Sequence, residues 1–112
     1  MDCIFCKIAA GDIPAKKAYE DDQCLAFYDL DPQAPVHVLL IPKQHIASVN
    51  ELTEENSGVV AHIFTVAAKL AGELGLENGY RIVNNCGEDG GQTVQHLHVL
   101  LLGGRSMAWP PG

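Results

Sequence analysis

One run of helical periodicity, residues 53–74, sits among short apolar runs cut by glycine and proline, and it is the feature that most restricts what this chain can fold into. Val59, Ile63, Val66, Leu70 and Leu74 return at the three- and four-residue spacing of a single helix face. Thr53 suits the N-cap, Glu54 and Glu55 place negative charge in the first turn, and Gly75 marks the stop. A short helix is expected over residues 4–10, from the spacing of Ile4, Phe5 and Ile8, with Gly11 at a C-cap position. The remaining runs have strand length. Residues 17–19 and 23–29 read as strands around the turn Glu20-Asp21-Asp22, and the rigid loop Asp31-Pro32-Gln33-Ala34-Pro35 follows. Residues 36–41 are nearly all apolar and end at Pro42, which predicts a buried strand. Residues 80–84 and 94–102 supply the last two strands, on either side of a glycine-rich turn. The sum is a single α+β domain over residues 1–112: a five-stranded antiparallel sheet with one long helix and a short N-terminal helix.

Charge narrows the function classes. Lys and Arg total 7 against 14 Asp and Glu, a formal net charge of -7. A surface that neutralises many phosphates along DNA or RNA needs the opposite balance, so a nucleic acid polymer is disfavoured, as is electrostatic attachment to an anionic membrane. The first thirty residues contain Asp2, Asp12, Glu20, Asp21 and Asp22 but no long apolar run, so no signal peptide is expected. The apolar run 99–102 is too short to span a bilayer. The expectation is a soluble cytoplasmic protein, in which four cysteines serve as thiols or metal ligands and not as a disulfide framework.

The residues able to do chemistry are few. His37 opens the buried strand, and His96 and His98 lie two apart in the predicted last strand, which puts both rings on one face. Gly90-Gly91-Gln92-Thr93 precedes them. Glycines let the backbone approach an anion, and a row of N–H groups can hold a phosphate without basic side chains. A neutral imidazole beside that phosphate can attack phosphorus; the bland alternative is a pair of hydrogen-bonded core histidines. Cys3-Ile4-Phe5-Cys6 offers two thiolates to one tetrahedral zinc, with two histidines to complete it. Redox chemistry and plain packing are its rivals. Cys24 and Cys86 receive no role, and His62 on the long helix reads as a structural or surface residue.

Taken together, these pieces resemble the histidine triad family, and more narrowly its nucleotide-binding purine nucleoside phosphoramidase branch. The resemblance covers essentially the whole chain. It is carried by Ile13-Pro14-Ala15-Lys16, Glu20-Asp21-Asp22, Leu25-Ala26-Phe27, Pro32-Gln33-Ala34-Pro35, Ile41-Pro42-Lys43 with His45, Gly90-Gly91-Gln92, His96-Leu97-His98, Gly103-Gly104-Arg105 and the ending Trp109-Pro110-Pro111-Gly112. It implies that His98 is the nucleophile that takes up a nucleotidyl group, that His37 orients it and relays its proton, and that Thr93 helps the leaving amine, with His96 as a further triad member. Gly91, Gln92, Thr93 and Val94 would line the phosphates, and Asn85 would stand on the phosphate and leaving-group side. Asp29 would accept from the ribose hydroxyls. Ile4, Phe5, Ile8, Ile13, Phe27, Tyr28, Leu30 and Leu39 would form a slot for a purine.

By the same resemblance, Cys3, Cys6, His45 and His96 would hold a structural zinc, with no organic cofactor. Two copies would form a homodimer by joining their sheets into ten strands, with Trp109 anchoring a tail that reaches the partner's site. The family pattern His-φ-His-φ-His-φ-φ, with φ apolar, reads here His96-Leu97-His98-Val99-Leu100-Leu101-Leu102. Leu100 replaces the third histidine, which implies weakened chemistry. The implied activity is hydrolysis of a purine nucleoside phosphoramidate. A nucleotide-binding regulatory module with little catalysis and a dinucleoside polyphosphate hydrolase are the alternatives.

Overall fold

The computed structural model describes residues 3–112. Five strands form one antiparallel sheet: β1 (Lys17–Glu20), β2 (Cys24–Tyr28), β3 (Val36–Pro42), β4 (Tyr80–Val83) and β5 (Val99–Gly103). Their order across the sheet is β1-β2-β3-β5-β4. A short helix, α1 (Ile4–Ala9), precedes the sheet, and a long one, α2 (Gly58–Glu73), joins β3 to β4.

Side-chain alternation gives the sheet two apolar faces. Cys24 and Ala26 of β2, Val38 and Leu40 of β3, and Val99 and Leu101 of β5 point to one side, where Ile63, Val66, Ala67, Leu70 and Ala71 of α2 cover them. The intervening residues Leu25, Phe27, Leu39 and Ile41 point to the other side and meet Phe5 and Ile8 of α1. Alternate burial on both faces is why β2 and β3 read as continuous apolar runs. The helix α1 covers only part of its face, and the uncovered part is where the cleft described below lies.

Two elements differ from expectation. The long helix begins at Gly58 and not at Thr53. Thr53 does cap, but it caps a separate turn: Asn56 N–H donates to Thr53 Oγ1 at 3.3 Å, and Thr53 N–H donates to Asn56 Oδ1 at 2.7 Å. This reciprocal pair is a capping box with asparagine in the third place. No apolar residue lies between Thr53 and Gly58, so nothing ties that turn to the sheet, and the regular helix starts where the apolar stripe does.

The last strand is also shorter than the predicted 94–102. It starts at Val99, so His96 and His98 precede it. Their segment is held by loop and side-chain contacts in place of a ladder. Leu97 N–H donates to the Ile46 carbonyl at 2.6 Å, and Asn84 Nδ2 donates to the His98 carbonyl at 2.9 Å.

Candidate functional site

Two neighbouring sites share α1 and the His96-Leu97-His98 segment. The first is a cluster of four ligand-bearing side chains. Cys3 and Cys6 project from the start of α1, His45 follows β3, and His96 precedes β5; their ligand atoms all lie within 4.8 Å of one another. His96 Nδ1 is 3.3 Å from Cys3 Sγ, 3.5 Å from Cys6 Sγ and 3.2 Å from His45 Nδ1, and Cys6 Sγ is 3.2 Å from His45 Nδ1. Zinc–sulfur and zinc–nitrogen bond lengths give a tetrahedron with edges of roughly 3.3–3.8 Å, and these separations lie in that range or just below it.

The protonation pattern fits as well. His96 Nε2 is 2.8 Å from the Pro42 carbonyl, which can only accept; that nitrogen therefore carries the proton and Nδ1 is left with a bare lone pair facing the thiols. Burial foremost, then the neighbouring His45 and His98 rings, hold His96 toward its neutral form, against the Pro42 hydrogen bond. Burial, then the adjacent Cys3 thiol, push the Cys6 thiol upward. Without a metal the Cys6 thiol is thus held toward its protonated form, and a cation bound among the four side chains would displace the thiol protons; the set is able to bind a metal such as zinc.

The second site is a cleft of about 390 Å³ on the same side of the sheet. Ile4, Phe5 and Ile8 of α1 form one wall, and Ile13, Phe27 and Leu39 continue it. Tyr28, Asp29 and Leu30 edge the cleft where β2 runs out, and Leu30 is fully exposed there. Asn85, Gly91, Thr93, Val94 and His98 close the polar end. A slot that is mostly apolar with a few convergent polar groups is the usual form of a small-molecule site.

The His98 ring is oriented by its own chain. Its Nδ1 is 2.7 Å from the His96 carbonyl, which assigns the proton to Nδ1 and leaves Nε2 unprotonated on a ring that lines the cleft. That is the state a nitrogen nucleophile needs. His37, on the same face of β3 as Leu39, is 6% exposed and is not among the residues that line the cleft. Its Nδ1 accepts the Gln33 N–H at 3.0 Å, so Nε2 is the donor. That nitrogen is buried without a hydrogen-bond partner, and its nearest charged neighbour is Asp29 Oδ2 at 3.5 Å. Asp29 Oδ1 accepts the Asp31 N–H at 2.8 Å, which fixes the carboxylate at the rim of the cleft.

Several sequence-derived placements change. The rings of His96 and His98 do not share one destination: His96 has both nitrogens engaged away from the cleft, so it belongs to the metal cluster and not to the group facing a ligand. Gln92 does not line the cleft either. Its Nε2 donates to the Ala47 and Val94 carbonyls and its Oε1 accepts the Gly87 N–H, so the side chain builds the loop. The backbone N–H groups of Gly91 and Gln92 are also spent, on the Glu88 and Gly87 carbonyls. A phosphate cradle of glycine N–H groups is therefore narrower than expected; Thr93 and Val94 N–H have no protein partner among the described residues. Trp109 lies outside the cleft, 83% exposed.

The sequence reading also missed residues. Pro14, Ala15 and Lys16 line the cleft, and Lys16 Nζ stands 5.2 Å from the centre of the Tyr28 ring. Their position just after Ile13 is the signal that pointed there. Leu100 lines the cleft beside His98, across from Leu39 in the strand register.

Two other features compete for attention and yield. Asp21, Cys24 and His62 also lie within ligand distance of one another. Every Asp21 oxygen is already engaged: Oδ1 accepts from the Gln23 and Cys24 N–H groups, and Oδ2 from Tyr19 Oη and His62 Nε2. Burial, then the Asp21 charge, push the Cys24 thiol up to about 12. This cluster ties α2 to the β1–β2 turn. A broader hollow of about 550 Å³, lined by Tyr80, Arg81, Arg105 and Ser106 among others, lies at the outer edge of β4 and contains none of the histidines.

No helix among the described residues is long and apolar enough to cross a membrane. The HIT domain family model matches residues 10–107. An uncharacterized HIT-like protein of Synechococcus elongatus is 56% identical over 111 residues, 99% of this chain and 97% of that one. A HIT family hydrolase from Legionella pneumophila superposes with a TM-score of 0.97 at 54% identity, covering 99% of this chain and 100% of the other. A histidine triad protein from Clostridium difficile follows with a TM-score of 0.93 at 50% identity, over 96% and 95% of the two chains. Sequence and fold thus agree, and this chain belongs to the HIT domain family, with hydrolases among its structural neighbours.

Proposed function

We propose that this protein is a purine nucleoside phosphoramidate hydrolase. The observation that carries the reading is the unprotonated Nε2 of His98, on a ring that lines an apolar slot with a carboxylate at its rim. In this reading the purine lies between α1 and the β2–β3 face, against Ile4, Phe5, Ile8 and Leu39. The ribose hydroxyls donate to the free oxygen of Asp29. Thr93 and Val94 N–H, with Asn85, meet the phosphate. His98 Nε2 then forms a bond to phosphorus as the phosphorus–nitrogen bond to the amine breaks. The departing amine takes a proton from the Thr93 hydroxyl, which regains one from solvent, and the proton released by the water that attacks in the second step returns to solvent. Water next attacks the nucleotidyl-histidine, the bond to Nε2 breaks, and the nucleoside monophosphate leaves. His37 makes no hydrogen bond to His98, whose Nδ1 is taken by the His96 carbonyl, so the expected orienting and proton-relaying part is not carried over; its buried Nε2, 3.5 Å from Asp29 Oδ2, instead supports a part in fixing that carboxylate.

Cys3, Cys6, His45 and His96 would hold a structural zinc. With four protein ligands it has no open position, so what it supplies when bound is a clamp between α1 and the sheet. The free edge of β4 and its hollow are where a second copy would join to form a homodimer.

The test is hydrolysis of adenosine 5′-phosphoramidate by the wild-type protein and by His98→Ala, with mass spectrometry of quenched enzyme for an adenylyl adduct on His98. The expected result is turnover and adduct in the wild type and neither in the variant. An alanine variant with full turnover would remove His98 from the chemistry. Leu100 favours one second reading, a nucleotide-binding module with little turnover; tight binding of a purine monophosphate with negligible hydrolysis at high enzyme concentration would establish that instead.

A further inference from the structure

The metal cluster and the cleft meet at one side chain. Phe5 stands between Cys3 and Cys6 on the single turn of helix that supplies both thiols. Its ring is 7% exposed and packs edge-to-face on three others: Phe27 at 5.7 Å, His96 at 5.9 Å and His98 at 5.1 Å. His96 is thus bound to His98 twice, through its carbonyl to Nδ1 and through Phe5 to the ring. The carbonyl fixes one atom of the His98 ring but leaves the ring free to rock about that hydrogen bond. Phe5, at an interplanar angle of 84° to the imidazole, is the wall that stops the rocking.

We propose that Phe5 is a positioning residue for His98, and that the Cys3/Cys6/His45/His96 cluster sets its place, so that metal binding governs how the nucleophile is presented. The proposal rests on the hydrolase reading and on the fit of the four ligands to a metal. Its physical basis is the sensitivity of attack to aim: a displacement of about 1 Å at a reacting atom costs on the order of 100-fold in rate. Aromatic edge-to-face contacts hold such geometry, because the ring quadrupole prefers one arrangement. A thiol-bearing turn pulled onto His45 and His96 brings Phe5 with it. Released, that turn keeps only its apolar packing on this face, through Phe5 and Ile8 with Cys3, Cys6 and Ala9 beside them.

The experiment compares Phe5→Leu, which keeps most of the volume and loses the ring, with Ile13→Ala, which alters the slot without touching His98. Three readouts are needed: calorimetric affinity for adenosine monophosphate, single-turnover formation of the His98 adduct, and nitrogen NMR of the His98 ring. Phe5→Leu should slow adduct formation on the order of 10- to 100-fold while affinity changes far less, and should turn the single Nδ1–H signature of His98 into a mixture. Ile13→Ala should lower affinity for adenosine monophosphate and leave the His98 ring signals in place. Stripping the metal from wild-type protein with a chelator should move the His98 signals as Phe5→Leu does, and should move them little further in that variant. Unchanged ring signals in Phe5→Leu, or in metal-stripped wild type, would overturn the proposal. Because NMR reads His98 without substrate, a wild-type protein that hydrolyses nothing would refute the hydrolase reading while leaving this coupling to be judged on its own.

Discussion

Replacing Leu100 by histidine should raise activity and lower stability, and both magnitudes can be argued from its surroundings. The side chain is half-buried, lines the cleft with His98, and lies opposite Leu39 on β3 and Val83 on β4. No hydrogen-bond donor reaches the cleft from this position. An imidazole there supplies one on the phosphate side, and a single donor aimed at charge developing in a transition state is worth about 10²–10³ in rate. The price is apolar packing. Fully burying a leucine contributes about 1.5–3 kcal/mol, and a half-exposed one about half of that, so the variant should lose about 1 kcal/mol. For a domain of this size that is a fall in Tm of about 4–8 °C. The assay is kcat/KM for adenosine 5′-phosphoramidate, with His98→Ala and the double variant as controls. The expected outcome is a gain toward 10²-fold in Leu100→His that vanishes when His98 is also alanine. Equal kcat/KM in wild type and a well-folded Leu100→His protein would refute the reasoning, since it would mean this position does not face the phosphate. Activity surviving in the double variant would mean that the new imidazole is itself the nucleophile.

Two further outcomes follow from the scaffold. Burial alone would raise the Asp21 carboxyl, but hydrogen bonds from His62, the Cys24 and Gln23 N–H groups and Tyr19 outweigh it and hold the carboxyl well below the usual range. A depressed folded-state value contributes stability above the unfolded value and loses it as pH falls through the folded one. Asp21→Asn should therefore cost about 1.5–3 kcal/mol at pH 7, with the gap to wild type closing only well below pH ~4; urea melts at pH 7 and pH 3 check this, and a gap independent of pH would contradict it. Gly90→Ala should lose about 1–3 kcal/mol, because a Cβ there would overlap the Cys86 backbone oxygen and stand 2.9 Å from its nitrogen. Since the same turn carries Asn85 and Gly91, nucleotide affinity should fall with it, and an alanine variant that binds and melts like wild type would show that the turn can shift freely.

Much of the fold was legible in residue order. The nearly continuous apolar run over residues 36–41 announced β3 as a buried strand, and the stripe from Val59 to Leu70 announced the long helix. The slot residues on α1, β2 and β3 came from the family resemblance and not from periodicity, and the structure gathers Phe5, Ile8, Phe27 and Leu39 on one face of the sheet. Harder to read were the places where polar groups compete locally. Thr53 signals a helix start, yet its partner Asn56 folds back to close a separate turn, and nothing in the spacing distinguishes a cap on a turn from a cap on a long helix. Val94 to Leu102 has strand chemistry, but Gln92 and Asn84 capture carbonyls at Val94 and His98, and the ladder begins only at Val99.

What the sequence determined by itself is the inventory and its periodicity, that is, which apolar residues share a helix face and which runs are strands; the four metal ligands and the leucine in place of a third histidine came through the family resemblance. Only the tertiary structure decided what each polar atom is free to do. His96 becomes a ligand with a bare Nδ1 because the Pro42 carbonyl, 54 positions away in the chain, takes its other nitrogen. His98 is left with an open Nε2 because its neighbour's carbonyl takes Nδ1. The N–H groups of Gly91 and Gln92 are lost to a phosphate because their own loop uses them. Periodicity follows from bonds between near neighbours, which the order of residues encodes directly. The free lone pair and the free proton depend on which distant carbonyl arrives first, and that is settled only when the sheet closes.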